Sequence, residues 1–146
     1  MTHQFCITAD VDANTAEIPV GFEVWLNNSL VQNIEQLTSA ETVKITVNDT
    51  DAADHELKFV LKNKTQLHTT VDSDGNIVKD TVVSISNLKF DDVELGQMFY
   101  DLAVYRHNFN GTGSDTEEKF YGTMGCNGTV SLKFTSPIYL WLLENM

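Results

Sequence analysis

Apolar side chains recur at every second position in segment after segment of this chain, and that spacing admits few folds. Val20, Phe22, Val24 and Leu26 alternate with Gly21, Glu23, Trp25 and Asn27. Val43, Ile45 and Val47 alternate with Lys44, Thr46 and Asn48; Leu57, Phe59 and Leu61 with Lys58, Val60 and Lys62. Val130, Leu132 and Phe134 alternate with Ser131, Lys133 and Thr135. Successive side chains of a strand point to opposite faces, so each segment reads as a strand with one face buried. Sheets with one wet face are characteristically antiparallel.

The turn chemistry agrees. Asn27-Asn28 predicts a tight hairpin, since Asn tolerates positive φ. Residues 48–54 form an acidic loop, and Asp72-Ser73-Asp74-Gly75-Asn76 a second hairpin tip. The apolar phase slips between Val83-Ile85 and Leu88-Phe90, which predicts a bulge or a strand end. Val93, Leu95, Phe99, Leu102 and Val104 allow a short helical turn, and residues 108–118 read as an exposed loop. The expectation is an all-β, antiparallel, jelly-roll-like β-sandwich of about eight strands with at most a short helix. At 146 residues it forms a single domain able to bury about two-thirds of its unfolded surface.

Charge narrows the partners. With 21 acidic against 9 basic residues the net charge is -12. Such a field repels phosphate backbones and anionic bilayers, so neither nucleic acid nor membrane is an expected partner. No basic-then-apolar leader follows Met1, and the apolar run 138–143 is too short to span a bilayer. Synthesis in a cytoplasm is expected, and the sequons at Asn27, Asn48, Asn63, Asn110 and Asn127 then reflect loop composition. Cys6 and Cys126 lack metal-site spacing and are expected as free thiols.

No nucleophile elbow, phosphate loop or HExxH motif is present, so no catalytic residue is assigned and no enzyme is expected. The sharpest chemical candidate is calcium at Asp72, Asp74 and Asn76, whose alternate spacing can turn several oxygens on one cation. Gly75 stands at the fourth place of that loop and Val83 where an EF-hand places its Glu, and the same residues make an ordinary hairpin tip. The acids Asp49, Asp51 and Asp54, and Asp91, Asp92 and Glu94, read as solvated loops. His3, His55, His68 and His107 are scattered, and His55 and His107 suit hydrogen-bonded structural roles.

Among the aromatics, Trp25 lies out of phase with its strand's apolar face and points to the other side of the sheet. Residues 136–146 carry Tyr139 and Trp141 among four Leu or Ile, and form either a buried last strand or a docking surface. Trp25, Tyr139 and Trp141 are therefore the candidate ligand or subunit contacts.

The words Asp74-Gly75-Asn76-Ile77, His107-Asn108-Phe109-Asn110-Gly111-Thr112, Met124-Gly125-Cys126-Asn127-Gly128-Thr129-Val130-Ser131-Leu132 and Pro137-Ile138-Tyr139-Leu140-Trp141-Leu142-Leu143-Glu144 resemble small proteins of marine phages, cyanophages especially. The likeness covers roughly the last 90 residues. It implies a virion structural or accessory protein, made in the host cytoplasm and resident in the virion. Such a protein self-associates or docks on capsid or tail through apolar and aromatic contacts. A second, lesser similarity is to calcium-dependent, xylan-binding carbohydrate modules, carried by residues 55–61, 82–90 and Asp91-Asp92. It implies a sandwich that recognises host-surface glycans, with calcium held by loop acids.

Overall fold

The computed structural model describes residues 3–14, 18–49 and 53–145, the side chains of His3 and Asp49 excepted. Thirteen strands and two α-helices lie among the described residues. In chain order they are β1 His3–Ala13, β2 Val20–Leu26, β3 Ser29–Leu37, β4 Ala40–Asp49, β5 Asp54–Lys62, β6 Thr69–Val71 and β7 Ile77–Asp80. There follow β8 Val83–Phe90, β9 Val93–Glu94, α1 Gln97–Leu102, β10 Val104–His107, β11 Thr116–Lys119, β12 Thr123–Met124, β13 Gly128–Thr135 and α2 Ile138–Asn145. The count exceeds the expected eight because several of these are only two to four residues long.

One sheet runs β12-β8-β1-β4 with β9 added beside β8; the other runs β11-β10-β13-β5-β2-β3. Their pairings are antiparallel. The alternating residues of the sequence form the facing layers: Phe22 and Val24, Leu57 to Leu61 by twos, and Val130, Leu132 and Phe134 are buried from one sheet. Phe5, Ile7, Ala9, Val11, Val43, Ile45, Val47, Val83, Ile85, Leu88 and Phe90 are buried from the other. Stacked sheets sandwich a core in this manner.

Local chemistry sets the register. Asn27 and Asn28 take φ of 51° and 68°, and Leu26 pairs with Ser29 across that two-residue turn. The phase slip in β8 is a bulge. Thr8 pairs with Lys89 and Asp10 with Ser86, so Ala9 faces both Asn87 and Leu88, and Asn87 takes a φ of 54°. The extra residue turns Leu88 and Phe90 back into the core beside Ile85.

The C-terminal segment, expected as either a buried last strand or a docking surface, is a helix. Its buried residues, Ile138, Trp141 and Leu142, fall at helical spacing just after Pro137, and Trp141 N donates to Pro137 O at 3.2 Å. Trp141 is only 6% exposed. Its ring stacks on Phe90 at 5.7 Å and meets Phe134 edge-on at 6.1 Å, so this residue is spent on the chain's own core. Trp141→Ala is expected to cost about 3–5 kcal/mol, seen as a lower denaturation midpoint at unchanged slope.

Candidate ligand-binding cleft

The hairpin β6–β7 stands apart from the two large sheets. At its tip Asp72 Oδ1 accepts the amide hydrogens of Asp74 and Asn76, both at 2.9 Å. The Asn76 amide foremost holds the Asp72 carboxyl below its usual range. Asp72, Asp74 and Asn76 are thus brought together, but by a turn in which Asp72 serves its own backbone. Trp25 lies half-buried on the outer face of its sheet, Nε1 donating to Glu23 Oε1 at 3.2 Å. Tyr139 is exposed, and its hydroxyl donates to Asp91 Oδ2 at 2.7 Å. Trp25 and Tyr139 are thus bonded to different acids, Glu23 and Asp91. Of the acidic loop 48–54, Asp51 lies outside the described residues. Cys6 and Cys126 are both free thiols.

Two clefts matter. One, of about 630 Å³, is lined by Asn27, Asp54, His55, Glu56, Lys133 and the edge of Trp141, among others. Its aromatic wall is closed off. Phe134 is buried under it, and both nitrogens of His55 are engaged, by Asn27 Nδ2 at 2.8 Å and Ser136 Oγ at 2.7 Å.

The other, of about 750 Å³, opens between the start of the β6–β7 hairpin and the 108–113 loop. Thr65, Gln66, Thr69, Asn110 and Thr112 give it amide and hydroxyl groups, and Phe109 gives it a ring. Phe109 is 47% exposed on a backbone with φ of 56°, a conformation that a bulky residue rarely takes. His107 stands edge-on behind it at 4.7 Å. Gly113 lies so close that a Cβ there would meet Phe109 Cδ2 at 2.6 Å.

A buried polar network carries this cleft. Lys64, its side chain 2% exposed, pairs with Asp80 at 2.8 Å and so ties the hairpin to the end of β5. Thr69 Oγ1 donates to the same Asp80 carboxylate at 2.7 Å. Asn127 accepts from Lys64 N and donates to Lys64 O, each at 2.8 Å, while its own N–H donates to Asn110 Oδ1 at 2.7 Å. Tyr105 underlies the turn: its hydroxyl accepts from Cys126 N at 2.9 Å and donates to Cys126 O. Burial pushes the Tyr105 phenol up to about 12 and raises the Cys126 thiol as well. Gly128 is required beside it, because a Cβ there would meet Arg106 O at 2.2 Å.

No protein-family model and no curated relative matches the chain. Solved structures do. The antiparallel β-sandwich is shared with two solved carbohydrate-binding-module structures. The carbohydrate-binding module vCBM60 in complex with galactobiose aligns with a TM-score of 0.52 at 12% identity, over 87% of this chain and 96% of that one. A selenomethionine form of vCBM60, from work linking two families of calcium-dependent carbohydrate-binding modules by circular permutation, aligns at 0.56 and 10% identity. That match covers 88% of this chain and 89% of the other. Neither neighbour bears on phage particles.

The donor set of the described residues does not fit the calcium named for those modules. Among the described residues no three His, Cys, Asp or Glu side chains converge. Asp72 is committed to its own turn, and among the described residues the larger cleft has no carboxylate on its wall. Phe109 is the site residue that sequence reasoning missed. An aromatic set in a polar loop just before Asn110-Gly111 was the available signal.

Tyr105→Phe leaves the Cys126 amide without its hydroxyl partner and is expected to cost about 1–3 kcal/mol at neutral pH. The phenol pKa is higher folded than unfolded, so its stabilisation is complete below pH 10 and is lost as pH rises through about 12. Denaturant melts across that window should show the gap between wild type and Tyr105→Phe closing.

Proposed function

We propose that this protein is a non-catalytic glycan-binding domain whose ligand lies in the cleft beside Phe109. The observation that carries the reading is the exposed Phe109, held in a left-handed backbone beside the amide and hydroxyl side chains of Thr65, Gln66, Asn110 and Thr112. Pyranose rings have an apolar C–H face and a hydroxyl rim, and a ring flanked by amides and hydroxyls complements both. The carbohydrate-binding-module fold supports the same reading. A glycan array probed in calcium and again in chelator tests it. At least one oligosaccharide should be retained, and a blank array in both conditions removes the proposal.

A second reading is a virion accessory protein docked by apolar contacts. It is favoured by helix α2, which buries Ile138, Trp141 and Leu142 yet leaves Leu140 54% and Leu143 74% exposed. On this reading Leu140→Lys with Leu143→Lys should abolish co-sedimentation with particles and leave the melting temperature unchanged; retained co-sedimentation counts against it.

A further inference from the structure

We infer that the Phe109 cleft takes an uncharged saccharide by direct side-chain contact, with no cation bridging sugar to protein. This rests on the glycan-binding reading and says how that same site works. Calcium takes six to eight oxygens, carboxylates prominent among them. The cleft wall offers amides and hydroxyls instead, and part of their capacity is already used. Asn110 Oδ1 accepts from Asn127 N, and the Thr112 hydroxyl donates to Phe109 O at 2.6 Å. Asp80, bonded to the lining residues Lys64 and Thr69, is neutralised by that lysine.

What remains suits a sugar hydroxyl. Among the described residues neither the Asn110 side-chain nitrogen nor the Gln66 side-chain amide makes a hydrogen bond. The same inventory selects against acidic sugars. Among the described residues the one lysine on the wall is buried in its ion pair and no exposed cation lines the cleft, and the chain as a whole carries a net charge of -12. Phe109 is braced by His107 behind and Gly113 beneath. A platform immobilised before binding loses little freedom when the ligand arrives.

Calorimetry with galactobiose, xylohexaose and polygalacturonate, each in calcium and in EDTA, decides the matter. The inference expects a neutral oligosaccharide to bind with affinity within about twofold in the two buffers, and polygalacturonate not to bind. Phe109→Ala should weaken binding about tenfold or more, Phe109→Tyr should retain it, and Gln66→Ala should weaken it several-fold, at unchanged melting temperatures. Binding abolished by EDTA, or undiminished in both Phe109→Ala and Gln66→Ala, overturns the inference while the glycan reading stands. Failure to bind any of the three, together with a blank array, ends both.

Discussion

Phe90 from β8 and Phe134 from β13 meet edge-to-face at 5.0 Å across the gap between the two sheets. Phe5 joins them from β1, 5.8 Å from Phe90 and 6.1 Å from Phe134. Trp141 of α2 then lies on both. This seam is where two sheets that each have one dry face become one body, and burial of such rings dominates the energetics of a core this size. The helix is held by it, and so is His55, which stacks on Phe134 at 5.0 Å. A second set of rings, Phe59, Phe99, Phe120 and Tyr105, carries the core towards the 125–127 turn.

From there the physics changes from apolar to polar. Lys64 and Asp80 form an ion pair whose lysine is withdrawn from water, an arrangement that is worth little for stability and much for position. It is tolerable because Asn127, Thr69 and the backbone satisfy the groups around it. Removing a single partner there would strand a buried charge, which costs far more than the pair contributes. The hairpin and the 108–113 loop are held by such directional bonds, which fix the width of the cleft between them.

Much of the sandwich was legible in the sequence, because strand burial repeats every two residues and the turns carry their own chemistry. The Asn27-Asn28 hairpin and the slip in β8 are both visible as residue patterns, and both exist. The last segment misled because Ile138, Tyr139, Leu140, Trp141, Leu142 and Leu143 are apolar without a break, so neither period stands out. Helix and strand then differ only in which residues find the core, and Phe90 and Phe134 decide that. The Asp72 tip was read as a hairpin or a cation loop, and its carboxylate in fact closes an Asx-type turn. Phe109 passed unremarked because nothing in its loop forecasts that Gly113 and His107 would brace it.

By itself the sequence determined the class of fold, the inner face of most long strands, and a net charge of -12. Those follow from local periodicity and from charge, which need no knowledge of what lies opposite. Only the tertiary structure decided where the cleft is and what lines it. Lys64 bonds to Asn127, 63 positions away, and Asn127 in turn to Asn110. The site exists where chain segments that share no local pattern are brought together, and the packing of two sheets supplies that meeting.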